Sequence, residues 1–420
     1  MKKLVVLSLM MFLTFMVFPV WFIPMFPYVG SLPDGGNWAF WCGLLMGIGT
    51  FASPLIGMFA DRYLHAERVL CLCFVLSGLF LCAAFFATSA AVLFWFLLGA
   101  VCFYMPTWAL TFTILVLHAP PKHFPWMRSL GTAGWVAAGG FSAVAAGCGF
   151  KTFDASNWIF AAGAATSFVG AVLTFFLPPT EPKAKGTPLS VADALGLKAL
   201  VLFKDRTFRS FVLVLLFATL PYQWYYVYAS QYLKDSGFNY LTLTLNLGQV
   251  GEALFLLIIP WMIRRFGYKR CLVIAFAALI FRNTCFALSS AGISAAFNFG
   301  GILIHGLVFG LISLGGQFFA NDKAPEALRS QAQGLITMLL IGLGTFASNY
   351  LFDQILKLKT SVAPWTLAYL VAIGLSLVGV VLTVAFVRGP LESRAKFRQF
   401  DGEMTTEGHR RWRSTLRNRA

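Results

Sequence analysis

Residues 245–262 read LNLGQVGEALFLLIIPWM, and this run carries a single ionisable side chain, Glu252. The next charge along the chain is Arg264, twelve positions later. A carboxylate that deep in hydrocarbon costs several kcal/mol and usually lines a polar path that carries function. The flanks say which kind of path. Apolar segments of about 20 residues or more, each long enough to cross a bilayer, recur along nearly the whole sequence. An acid in the wall of a many-helix membrane protein points to a proton or cation site inside a transporter.

Composition agrees. The chain has 420 residues, 59% hydrophobic and 11% charged, with mean hydropathy +0.76; a soluble domain carries about 25% charged residues. The eight Cys lie mostly inside apolar runs, as Cys71, Cys73, Cys102 and Cys285 do. Their spacing suggests neither a disulfide framework nor a metal site, so they read as small apolar fillers. The opening MKKLVVLSLMMFLTFMVF resembles a signal peptide, but it runs uncharged to Gly30 and lacks a clear small-residue cleavage site. It therefore reads as the first helix.

Length and breaks predict an all-α integral membrane protein of twelve spans. Their cores are 4–29, 37–60, 68–88, 91–118, 126–149, 157–177, 208–233, 241–263, 271–289, 294–320, 330–356 and 363–387. Pro19, Pro24 and Pro27 predict a bent end to the first. The gap PPTEPKAKGTPLSVADALGLKALVLFKDRT, residues 178–207, is Pro-rich and charged, with room for a short amphipathic helix. It divides the chain into an N-terminal bundle (1–178), a linker (179–207), a C-terminal bundle (208–388) and a basic tail (389–420). Of the 32 Lys and Arg, four (Lys151, Lys234, Lys357 and Lys359) fall on one set of connections and Arg282 lies within a span. The others fall on the opposite side, which the positive-inside rule makes cytoplasmic together with both termini and the linker. The formal charge of +16 is largely this bias plus the tail, where Arg410, Arg411, Arg413, Arg417 and Arg419 cluster. A solvated tail touching anionic lipid accounts for it better than a nucleic-acid partner.

The halves echo one another. RSLGTAGW at Arg128 and RSQAQGLI at Arg329 stand 201 residues apart, and ADRYLHAERVL and IRRFGYKRCLV stand at a similar offset. Two six-helix units with a midplane site between them is the major facilitator plan. GMFADRYLHAER, Gly57 to Arg68, resembles that superfamily's loop signature G-x-x-x-D-R/K, with Leu64 in place of its later glycine. Gly57 would let helices approach closely. Asp61 would accept from a neighbouring helix end and Arg62 would pair across the halves, holding one access state shut on the cytoplasmic side. The plainer reading is a charged turn.

With that loop in place, the chain from Gly47 to about Gln354 resembles the nucleoside:H⁺ symporter family of the major facilitator superfamily. The resemblance rests on CFYMPTWAL, FPWMRSLGTAGW, GQVGEALFLLIIPWMIRRFGYK, FRNTCFAL and LRSQAQGL, with GQVGE and RSLGT the most specific. It implies proton-coupled nucleoside import across a bacterial cytoplasmic membrane, with a nucleoside, H⁺ and membrane lipid as partners and a monomeric carrier. The residues alone imply only a secondary carrier. The resemblance further implies binding roles for Arg128 and Thr132, for Gln223, and for Gln249 with the proton-coupling Glu252. Phe309 matches a tenth-helix aromatic. His305 stands where relatives have a tyrosine, Tyr226 where they have an asparagine, and Gly310 where they have an acid. His305 could supply a titratable donor in place of that acid, although a lone helical histidine more often serves structure. Each pair 128/132 and 249/252 shares one helix face. Glu252 and Arg282 fall at similar depth on adjacent helices, which leaves a structural ion pair open as a second role. Trp108, Trp135, Trp224, Tyr225, Tyr226 and Tyr228 offer stacking surfaces for a flat base, or lipid-facing bulk.

No G-x-x-x-x-G-K-[ST] is present, so ATP does not drive the carrier directly, and no H-E-x-x-H or G-x-S-x-G suggests an enzyme. No cofactor or metal is implied. The fifth span lacks the Gly-Pro motif of drug/H⁺ antiporters. Two rivals remain: a facilitator for another small solute, such as a sugar or an aromatic acid, and a non-transporting membrane receptor.

Overall fold

The computed structural model describes residues 2–120, 123–182, 197–325 and 328–387. The described residues are mostly helical, without a strand, and make twelve helical passes. Lipid explains the choice, since a helix satisfies its own backbone where no water can. The passes are α1 (Lys3–Ser31), α2 (Gly35–Arg62), α3 (Ala66–Phe85), α4 (Ala90–His118), α5 (Phe124–Ala137 continued by Gly139–Gly147) and α6 (Trp158–Thr174). After the linker come α7 (Arg206–Asp235), α8 and α9, the two parts of Leu241–Ser290, then α10 (Phe297–Lys323), α11 (Gln331–Leu356) and α12 (Pro364–Phe386). The tail 389–420 and linker residues 183–196 lie outside the described residues. Residues 197–204 of the linker form a 3₁₀ stretch.

Local chemistry marks the breaks. The α-helix of α1 stops at Phe22 and resumes at Met25, with Pro24 between, because proline cannot continue the ladder. Gly267 separates α8 from α9 with φ 77°, a left-handed conformation that favours glycine. Asp205 caps α7, accepting from the Phe208 N–H at 2.8 Å. Asp34, in the α1–α2 turn, accepts from the N–H groups of Ala90 (2.7 Å) and Ala91 (3.1 Å) and so caps α4 from a different hairpin. Two π-helical turns, Gly310–Leu314 in α10 and Met338–Leu343 in α11, interrupt the regular ladder; such turns often mark functional sites.

Where the halves meet decides the shape of the space between them. Asn349 of α11 donates to Gly43 O of α2 at 3.2 Å, and Lys234 of α7 to Pro27 O of α1 at 3.3 Å. Asn246 of α8 donates to Trp135 O and Val136 O of α5 at 3.3 and 3.1 Å. The Thr242 N–H, at the start of α8, donates to Asp154 in the α5–α6 connection at 3.0 Å. All these bonds lie toward one end of the bundle, the end of the α1–α2 turn. No other hydrogen bond between described residues joins the halves. At the opposite end Gly57 has open space where a Cβ would stand, so among the described residues the close helix approach expected there is not made. Asp61 has no hydrogen-bond or ion-pair partner among the described residues, and Arg62 donates to Met58 O of its own helix at 3.3 Å.

Candidate functional site

Between the halves lies a cavity of about 430 Å³ with walls from both. Its N-terminal wall is aromatic. The Phe15 ring stacks on Trp108 with centroids 4.9 Å apart, and Phe112 meets Phe15 edge-on at 6.0 Å. Trp108 is oriented by its indole N–H, which donates to Tyr104 Oη at 2.9 Å, while Tyr104 in turn donates to Thr14 O. The Arg128 guanidinium lies 5.1 Å from the Phe15 centroid and 4.9 Å from that of Phe112. Thr132, one turn along α5, and Trp135 complete this wall.

The C-terminal wall is polar. Tyr222, Gln223 and Tyr226 come from α7, Gln249 and Glu252 from α8, and Phe309, Ser313 and Gln317 from α10. Backbone packing aims the carboxylate. Leu303 O sits where a Cβ on Gly251 would go, and a Cβ on Gly306 would overlap the Glu252 backbone. With α10 pressed so closely on this part of α8, Glu252 lines the cavity together with Gln249, three residues before it on the same helix face. Glu252 and Arg128 act on each other's charge across the space without touching.

Of the residues expected from sequence, Arg128, Thr132, Gln223, Tyr226, Gln249, Glu252 and Phe309 converge on this one cavity. Three expectations need correction. Glu252 and Arg282 form no ion pair. Arg282 is fully buried on the far side of the tyrosines, donating to Pro221 O and Tyr222 O at 3.4 and 3.3 Å, with its guanidinium 4.7 Å from the Tyr225 centroid. Glu252 lines the cavity, whereas Arg282 lies against the rings of Tyr222 and Tyr225. His305 is buried behind Tyr226 rather than on the cavity wall. A Cβ on Gly310 would meet Ile259 of α8 at 2.7 Å, so this position faces packing. Gln223 lines the cavity, but its amide already donates to Leu340 O, in the π-helical turn of α11, at 2.9 Å. Of the six aromatics singled out, Trp224, Tyr225 and Tyr228 pack elsewhere. Phe15, Phe112, Tyr222 and Ser313 were missed because isolated aromatics and hydroxyls in apolar helices carry no sequence signal, and Gln317 because it lies near the charged end of its span, at Asp322 and Lys323. A larger groove of about 670 Å³ between α5 and α6, lined by Phe141, Val144, Phe150 and Trp158, holds no ionisable group and offers no comparable chemistry.

Twelve helices in two sets, with a central cavity holding one acid and one base from opposite sets, define a secondary carrier of the major facilitator fold. The family described as nucleoside H⁺ symporter matches residues 1–392, and the chain belongs to it. YegT of Escherichia coli K12, whose assignment as a nucleoside transporter is provisional, is 32% identical over 355 residues, 82% of each chain. Nucleoside permease NupG of the same organism is 26% identical over 362 residues, 80% of this chain and 83% of that one. The crystal structure of nucleoside transporter NupG superposes with TM-score 0.80 at 23% identity, covering 93% of this chain and all of that one. A D-xylose–proton symporter superposes with TM-score 0.69 at 14% identity, covering 92% and 98%. At these identities the superpositions speak to fold alone.

Proposed function

We propose that this protein imports nucleosides with protons by alternating access, with Glu252 carrying the proton and the cavity carrying the solute. The observation that carries the reading is the placement of Glu252, the single carboxylate among the described residues of the cavity wall, opposite Arg128 of the other half. Family membership supports the solute class. The aromatic N-terminal wall suits a flat base, since a ring stacked on a base contributes about 1–3 kcal/mol in nucleic-acid binders. The hydroxyls and amides opposite suit the sugar.

The basic residues of the connections favour a cytoplasmic location for both termini, in the cytoplasmic membrane. The end sealed by Asn349, Asn246, Lys234 and Asp154 is then the outer one, and the structure represents the state closed to the outside. In this reading Asp61 and Arg62 belong to the inner gate, disengaged at Asp61 here and re-formed when the carrier opens outward. The bundles 1–178 and 208–388 move as the two units of a monomer, and the tail 389–420 meets anionic lipid.

The test is uptake of a labelled nucleoside into proteoliposomes under an imposed proton gradient, acidic outside. Wild type should concentrate uridine or adenosine and ignore competing xylose. Glu252→Gln keeps the shape and removes the titratable group. It should still equilibrate nucleoside across the membrane but fail to concentrate it. No nucleoside flux through wild type would overturn the assignment. Uphill uptake by Glu252→Gln at the wild-type rate would remove Glu252 from the coupling step.

A further inference from the structure

Three hydroxyls on the C-terminal wall form a chain leading out of the protein interior. Tyr222 and Tyr226 stand one turn apart on α7, and Ser313 belongs to the π-helical turn of α10; all three line the cavity. Tyr222 Oη lies 2.7 Å from Tyr226 Oη and 3.3 Å from Ser313 Oγ, and Tyr226 Oη lies 3.4 Å from His305 Nε2. At the inner end the His305 ring is 2% exposed and stacks on Tyr225 at 5.1 Å, and its Nδ1 is buried without a partner.

Each hydroxyl owns one proton, so the chain must run in one of two directions, set by the histidine tautomer. With the proton on Nδ1, Nε2 accepts from Tyr226, Tyr226 from Tyr222, and Tyr222 from Ser313. Ser313 then spends its proton inward, and an Nδ1–H is left buried without an acceptor. With the proton on Nε2 every bond reverses. His305 donates to Tyr226, Tyr226 to Tyr222 and Tyr222 to Ser313, and the serine proton remains free. The internal bonds are equal in number, and only the orphan differs: a buried N–H in the first case, a bare lone pair in the second. Orphaned buried N–H groups are the rarer of the two in folded proteins. The second direction is therefore favoured, as an assignment from the network.

We propose that the His305–Tyr226–Tyr222–Ser313 chain presents a hydrogen-bond donor to the bound solute at Ser313, and that this donor recognises a sugar oxygen. Ser313 and Tyr222 are then specificity-determining residues, and His305 is a positioning residue that acts through them. The inference rests on the nucleoside reading. It adds that the wall gives a proton to the ligand oxygen rather than taking one from it.

Fluorinated sugars separate the two directions, because a C–F group accepts weakly and cannot donate, while C–H does neither. The measurement is competition by uridine and by its 2′-, 3′- and 5′-deoxy and deoxyfluoro analogues against labelled uridine on purified protein. Wild type should bind the fluoro analogue more tightly than the deoxy analogue at one sugar position. The preference of uridine over the deoxy analogue there should fall about tenfold in Ser313→Ala, the loss of one hydrogen bond. The fluoro-over-deoxy preference should vanish in Ser313→Ala and in His305→Phe while uridine still binds. Altered sugar pucker in the fluoro compounds cancels when variants are compared with wild type. Fluoro and deoxy analogues binding wild type equally at every position would overturn the donor assignment. A preference that survives Ser313→Ala would overturn the residue assignment. Absence of uridine binding by wild type would instead remove the functional reading, and this inference with it.

Discussion

Replacing Asp154 should unlatch the end of the carrier where the halves are joined. Asp154 sits in the short helix Phe153–Ala155 between α5 and α6 and is 3% exposed. Ser142 Oγ of α5 donates to one carboxylate oxygen, and the Thr242 N–H donates to the other at 3.0 Å. Thr242 is the second residue of α8, so the acid also lies at the positive end of a helix from the other half. The Ser142 bond stays within one half and survives opening; the Thr242 bond does not. With the acid protonated, the hydrogen bond it accepts from Thr242 is a neutral one and contributes about 0.5–1.5 kcal/mol. Asp154→Ala should therefore shift the ratio of closed to open forms about 2- to 10-fold toward open at low pH. Burial pushes the Asp154 carboxyl above the ordinary carboxylate range, outweighing the hydrogen bonds that oppose the shift. In the open form the carboxyl meets water and returns toward about 4. The closed form thus holds the proton more firmly. Its advantage is fully present below the ordinary carboxylate value and is lost as pH rises through the raised one. Asp154→Asn imitates the protonated acid, so it should stay closed and lose this part of the pH dependence. Spin labels at Asn37 and Asn239, both exposed at this end, with Cys148 replaced by Ser, would report the separation in nanodiscs. An Asp154→Ala distance distribution that matches wild type across pH 4–8 would refute the latch.

Two further outcomes follow from packing and capping. Gly306→Ala places a methyl on the Glu252 backbone, and such overpacking costs about 1–3 kcal/mol; Tm should fall, and nucleoside affinity should fall with it because Glu252 is displaced. Asp34→Ala removes the cap on α4, so Tm should fall at neutral pH. The Ala90 N–H holds the Asp34 carboxyl below its ordinary value, so wild type should keep its advantage well into acid and converge on the variant only as pH falls through that lowered value.

Much of the fold was legible because bilayer thickness fixes helix length. The expected cores 37–60, 91–118 and 208–233 fall inside Gly35–Arg62, Ala90–His118 and Arg206–Asp235. The expected spans 241–263 and 271–289 are the two parts of one helical run that Gly267 divides. The π-helical turns in α10 and α11 were invisible, since one extra residue per turn leaves no mark in an apolar sequence. The site was legible where a charge or amide stands alone in hydrocarbon, as Arg128, Gln249 and Glu252 do. It was not legible where azimuth matters. Counting residues from the nearest charged end gives depth but not the direction of a side chain. That is why Arg282 was expected against Glu252 and is found instead behind Tyr222 and Tyr225.

That misplacement bears on how the carrier is coupled. Had Arg282 paired with Glu252, the carboxylate would have held a fixed counter-ion within its own half, and a proton arriving there would first have had to break that pair. With Arg282 walled off by tyrosines, the opposite charge facing Glu252 is Arg128, and it belongs to the other half. Ionised Glu252 leaves the cavity with one charge of each sign on opposite walls, an attraction that draws the halves together. Protonated Glu252 leaves Arg128 alone, and an unpaired cation favours an open, hydrated cavity. A nucleoside is neutral and changes neither balance, but it can fill the space through which the two charges act and displace the water that screens them. If Glu252 carries the coupling proton, as proposed, proton and solute act on one interaction between the halves in opposite senses: protonation removes it, and a solute that displaces the screening water strengthens it while Glu252 is ionised.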